Sequence, residues 1–148
     1  MNARPGYNYV HKRLAIGSAP IPGITALPFD VLVLCAQEYQ PTDKLFPNIR
    51  VLHVPFDDAE SISKEEAHRA CRGGAVVAQL VRDRQKVLVT CMAGRNRSGL
   101  VTGFALMNMG YSAPRSIKHI RECRGENALS NQFFVRLLCE YGKRSVPR

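Results

Sequence analysis

The sequence predicts an α/β fold, a central and mostly parallel sheet of about four to five strands flanked by helices. Two observations carry this. Short runs of Val, Leu and Ile recur without clean alternation, as in strands buried on both faces. Between and after them lie stretches whose apolar residues fall at helical spacing. The strand runs are Leu14–Ile16, Val31–Cys35, Val51–Val54 and Val87–Thr90. Before the last of these, Ser63 and Glu66 form a capping box. Ala67, Ala70, Cys71, Gly74, Val77, Ala78 and Val81 then make a helical stripe, which gives a strand–helix–strand crossover. Further helices are expected over Gly99–Met109, stopped by Gly110; over Pro114–Cys123, opened by its proline; and over Asn131–Tyr141, stopped by Gly142.

No repeat or long linker interrupts the 148 residues, so residues 1–148 read as one domain. The longest strongly apolar stretch, Val31–Ala36, falls far short of the roughly 20 residues a membrane-crossing helix needs. Met1–Tyr9 is polar and broken by Pro5 and Gly6, unlike a secretory signal, which makes a cytoplasmic setting the default. Cys35, Cys71, Cys91, Cys123 and Cys139 are odd in number and widely spaced, suiting reduced thiols rather than a disulfide framework or zinc site. His11, His53, His68 and His119 make no ligand pattern, so no metal or other cofactor is expected. The net charge of +9 favours anionic partners: phosphorylated substrates, nucleic acid or acidic lipid. For any single charge, solubility is the plainer account.

The segment from Val87 to Gly99 carries the chemistry. A buried strand runs into a glycine-bearing loop and then a helix, and in parallel α/β sheets ligands bind at the carboxyl ends of strands. The helix N-terminus would favour an anion and stabilise a thiolate at Cys91. The loop from Met92 through Ala93, Gly94, Arg95 and Asn96 to Arg97 can curl its amides around a tetrahedral oxyanion, with Arg97 closing the ring through a two-pronged contact. The fold class thus includes a phosphate-binding loop between the last strand and the following helix. Gly94 permits the tight backbone, and Ser98 is placed to donate to the sulfur. Taken singly, Cys91 reads as a buried structural thiol and Arg97 as a solvated arginine; taken together in this setting they read as catalytic. The lysine-bearing pattern of nucleoside triphosphatases is missing.

The run Cys91-Met92-Ala93-Gly94-Arg95-Asn96-Arg97-Ser98 resembles the C-x5-R-[ST] signature of the cysteine-dependent protein tyrosine phosphatase superfamily, in particular its compact dual-specificity branch. Leu14–Ser18 is similar to the branch's opening strand, Asp30–Ala36 to its second, and the final helices to its closing segment. The resemblance implies a two-step displacement without metal, in which Cys91 attacks phosphorus and a phosphocysteine intermediate forms. Such chemistry needs an acid for the leaving oxygen. Val54-Pro55-Phe56-Asp57-Asp58 supplies Asp58, 33 positions before Cys91 and close to the family's spacing, with Asp57 as alternate. Without the loop at Cys91, that acidic pair reads as an ordinary turn. The family usually has His before the nucleophile where this chain has Thr90; either the Thr90 hydroxyl substitutes, or the thiol ionises less readily and activity is weaker. Arg124 and Asn131 resemble an arginine and asparagine that support the loop or touch substrate, and read equally well as a solvated arginine and a helix cap.

Substrate class is less legible. Arg95 stands where inositol-lipid phosphatases of the superfamily often carry lysine, and Asn96 is similar to the residue there in RNA 5′-triphosphatases. A small basic domain without lipid-binding or nucleic-acid motifs points first to phosphorylated proteins, phosphotyrosine with phosphoserine and phosphothreonine. Nucleic acid or anionic lipid is second, and a catalytically weak phosphate-binding module third, with Thr90 its best support. A rhodanese-like sulfurtransferase is disfavoured by Arg97-Ser98 and Asp58. Oligomeric state is not read from the sequence. Cys35, Cys71, Cys123 and Cys139 are expected to be buried.

Overall fold

A computed structural model describes residues 6–21 and 28–144. The predicted α/β architecture is observed, with a sheet ordered β1-β2-β5-β3-β4. The strands are β1 (Tyr7–His11), β2 (Leu14–Gly17), β3 (Val31–Ala36), β4 (Arg50–Phe56) and β5 (Val87–Thr90). β2, β5, β3 and β4 run parallel, and β1 is an antiparallel edge strand joined to β2 by a tight turn. The strand β1 lies in a segment read only as polar. Its Tyr-Asn-Tyr-Val-His sequence suits a strand, but only Val10 in it is buried, so it lacks the continuous apolar signal of its neighbours.

Alternation sorts the sheet residues into two layers. Leu14, Ile16, Val31, Val33, Cys35, Val87 and Val89 pack into the larger core with the helices. Ala15, Leu32, Leu34, Leu88 and Val51 face the other way, against Phe29 and Phe46. The second face is thus covered by side chains of the connecting segments rather than by an α-helix.

The helices are α1 (Lys64–Arg82), α2 (Arg97–Asn108), α3 (Ala113–Arg124) and α4 (Gln132–Arg144). The capping box at Ser63 and Glu66 is present in both directions, at 3.1 Å each way. Gly74 lies on the buried stripe of α1, where a Cβ would come 2.4 Å from the Cβ of Phe104; its absence lets α1 and α2 approach closely. α2 starts two residues before the predicted Gly99, which brings Arg97 and Ser98 into its first turn. Gly142 does not stop α4: the helix continues to Arg144, and the glycine instead makes room for Ala113, whose Cβ a side chain would meet at 3.2 Å. Among the cysteines expected to be buried, Cys35 is, whereas Cys71, Cys123 and Cys139 are half-buried on helix flanks; all five are free.

Candidate active site

The carboxyl ends of the parallel strands share one edge of the sheet, and the loop leaving β5 crosses it before α2 begins. This loop is held from outside through four consecutive carbonyls. The Met92 carbonyl accepts from the Ala19 amide at 3.1 Å and that of Arg95 from the Leu129 amide at 3.0 Å. Arg124 takes the two between, donating from Nη2 to the Ala93 carbonyl at 3.2 Å and from Nε to the Gly94 carbonyl at 3.0 Å. Its Nη1 donates to Asn8 Oδ1 at 2.8 Å. A trans peptide sets its N–H opposite its C=O. Tying these carbonyls outward therefore turns the amides of Ala93, Gly94, Arg95 and Asn96 toward the inside of the loop. Gly94 makes the curl possible: its φ is +70°, and a Cβ there would lie 2.5 Å from the Gly17 carbonyl carbon.

Cys91 is buried at the loop's start, and its Sγ lies 3.2 Å from Ser98 Oγ in the first turn of α2. The helix N-terminus thus reaches the sulfur, where its dipole favours an anion. Thr90 takes no part in this contact. Its hydroxyl donates to the Val33 carbonyl of β3 at 2.8 Å, and it is fully buried in the sheet.

Arg97 is 6% exposed. Its Nη1 and Nη2 donate to the two carboxylate oxygens of Glu38 at 2.5 and 2.7 Å, and Nη1 reaches the Phe56 carbonyl at 3.3 Å. Its Nε is buried and has no partner among the described residues. The guanidinium holds the Glu38 carboxyl down to about 2, chiefly through these hydrogen bonds, and Glu38 in turn raises Arg97. Sequence reasoning missed Glu38. Its one available signal is position, a carboxylate just past the end of a buried strand, as Asp58 is.

Asp58 and Asp57 separate clearly. The Asp57 carboxylate turns back to accept the Asp58 amide at 2.8 Å, and the Asp57 amide donates to Glu66 at 3.0 Å. The Asp58 carboxylate reaches the signature loop and the residue just before α4: Oδ2 accepts from Asn96 Nδ2 at 3.1 Å and Oδ1 from Asn131 Nδ2 at 2.8 Å. Asp58, Asn96 and Asn131 are therefore bonded to one another, while the Cys91–Ser98 contact, the Arg97–Glu38 pair and Arg124 each meet the same signature loop or its flanks.

The chain matches the model of the dual specificity phosphatase catalytic domain over residues 17–144. No curated protein sequence gives a significant match. Among solved structures, a mouse protein described as a dual specificity phosphatase, in complex with zinc tungstate, is similar at 28% identity and a TM-score of 0.83, over 97% of this chain and 91% of that one. Human DUSP28 is similar at 24% identity and a TM-score of 0.80, over 96% of each chain. PTPMT1 in complex with PI(5)P shares the fold at 18% identity and a TM-score of 0.78, over 95% of this chain and 96% of that one. With the family model matching residues 17–144 and the Cys91-to-Arg97 loop at the carboxyl end of β5, the chain belongs to the dual specificity phosphatase catalytic domain family and is a phosphatase.

Proposed function

We propose that the chain hydrolyses phosphotyrosine in proteins, with phosphoserine and phosphothreonine as further substrates, through a phosphocysteine intermediate. The observation that carries this is a loop between Cys91 and Arg97 whose four consecutive carbonyls are tied outward, with the Arg97 Nε buried and without a partner among the described residues. In the first step the Cys91 thiolate attacks phosphorus, forming the S–P bond as the bond to the leaving oxygen breaks. The loop amides and Arg97 hold the three equatorial oxygens, and Asp58 gives its proton to the leaving oxygen. In the second step water attacks phosphorus, Asp58 accepts the proton from the water, and the Ser98 hydroxyl donates to the departing sulfur.

Tungstate, held by the mouse relative, is a tetrahedral oxyanion, which supports the same ligand shape here. Met92, 45% exposed beside Cys91, offers a phosphorylated aromatic ring an apolar surface, which supports phosphotyrosine. The test is hydrolysis of an aryl phosphate from pH 5 to 8 with chelator present, wild type beside Cys91→Ser, followed by phosphotyrosine peptides, a phosphoinositide and a 5′-triphosphate RNA. Turnover lost in the serine variant, with the peptides fastest, is the expected result. A phosphoinositide or RNA end outrunning the peptides by orders of magnitude would overturn the substrate class, and turnover surviving in Cys91→Ser would overturn the mechanism.

A further inference from the structure

We propose that Asn96 and Asn131 form a clasp that holds the general-acid loop against the signature loop before substrate arrives, which makes Asn96 a positioning residue for Asp58. This rests on the reading of Asp58 given above. Each amide is oriented from both ends. Asn131 Oδ1 accepts from the Phe133 and Phe134 amides at 3.0 and 3.2 Å, capping α4, so its Nδ2 is turned to Asp58 Oδ1 and to the Ala59 carbonyl, both at 2.8 Å. Asn96 Oδ1 accepts from the Asn131 amide at 2.9 Å and the Ser130 hydroxyl at 3.3 Å, which turns its Nδ2 to Asp58 Oδ2 at 3.1 Å. Neither amide can flip without facing like against like.

The local structure of α2 reinforces this assignment. Asn96 occupies the N-cap position, where an asparagine side chain ordinarily accepts from its own helix; here it makes no capping bond and is committed to the acid loop and to the segment leading into α4. Three chain segments far apart in sequence, at residues 57–59, 96 and 130–131, thus meet on one carboxylate. A mobile acid loop must be ordered in each turnover, at a cost in rate. The clasp orders it in advance.

Leaving-group dependence tests the proposal. Protonation matters most for a basic leaving oxygen, so a fault in positioning Asp58 slows phenyl phosphate far more than p-nitrophenyl phosphate, whereas a fault in the phosphate cradle slows both alike. Four variants would be compared with wild type: Asn96→Ser, Asn96→Ala, Asp58→Asn, and Asn96→Ser with Asp58→Asn. The expected result is that either Asn96 variant raises the p-nitrophenyl-to-phenyl ratio of kcat/KM by about tenfold or more, and that the double variant is no slower than Asp58→Asn alone. Equal slowing of both substrates, or additive losses in the double variant, would overturn the clasp while leaving Asp58 as the acid. An unchanged ratio in Asp58→Asn would overturn the acid assignment and the clasp with it. Should Asn96→Ser fail to fold, the uncharged Asn96→Ala gives the same readout.

Discussion

In the proposed mechanism Arg97 keeps a positive charge nearly out of water and still presents a donor to substrate. A buried guanidinium is costly unless its charge is matched. Glu38 provides the match by taking both terminal nitrogens, which fixes the plane of the group and leaves Nε for a phosphate oxygen. Glu38→Gln is therefore expected to lower kcat/KM by about tenfold, with KM for substrate rising as Arg97 loses its fixed plane. Steady-state kinetics with an aryl phosphate check this. The Glu38 side chain is 51% exposed, so solvent screens the pair and the change in Tm should be small. The pH dependence has a definite sign. The folded-state value of about 2 lies below the ordinary 4.5, so the pair's contribution is complete above about 4.5 and is lost as pH falls through about 2. The variant should then leave the activity limbs between pH 5 and 8 where they are, and a carboxyl NMR titration of wild type should place Glu38 near 2.

At the scale of elements, the site is a joint between β5 and α2, and Gly94 is its pivot. Gly94→Ala puts a side chain at φ +70° and against the Gly17 backbone at 2.5 Å, with Arg124 Nη2 at 2.6 Å. The expected outcome is a loss of activity of about a hundredfold or more with far-UV circular dichroism unchanged, because the strain falls on the loop and not on the sheet. Much of this joint is legible in the sequence. The buried strand at Val87, the C-x5-R spacing and the α1 capping box are local signals, each carried by residues adjacent in the chain. What the sequence does not disclose is tertiary. Glu38 stands 59 positions from Arg97, and nothing nearby marks it as a partner. Arg124 is named by the family resemblance as a residue that supports the loop or touches substrate and reads equally well as a solvated helix-end arginine, and only the folded chain brings it to the Ala93 and Gly94 carbonyls. Thr90 is a departure the sequence shows but does not explain; its hydroxyl bonds across to β3, so it stabilises the sheet beneath Cys91 and does not reach the loop. Gly142 misleads because a glycine that ends one helix serves in another to admit a neighbour.

Across the whole molecule, the charge of +9 is a field rather than a set of bonds. At about 0.1 M ionic strength such a field decays over roughly 10 Å. A phosphopeptide with acidic flanks should lose several-fold in kcat/KM as sodium chloride rises from about 50 to 300 mM, while one with lysine flanks should lose little or gain. Initial rates with the two peptides decide it. A second long-range consequence follows from Glu66. One oxygen of its carboxylate accepts the Asp57 amide and the other the Ser63 amide, so the start of α1 and the strand end leading to Asp58 are fastened by a single side chain. Any excursion that swings this carboxylate away exposes both amides to solvent deuterium at once. In native-state hydrogen exchange Asp57 and Ser63 should report one opening free energy, and Glu66→Ala should accelerate both together. The fraying of a helix and the loosening of the loop that carries Asp58 would then be a single motion seen from two places.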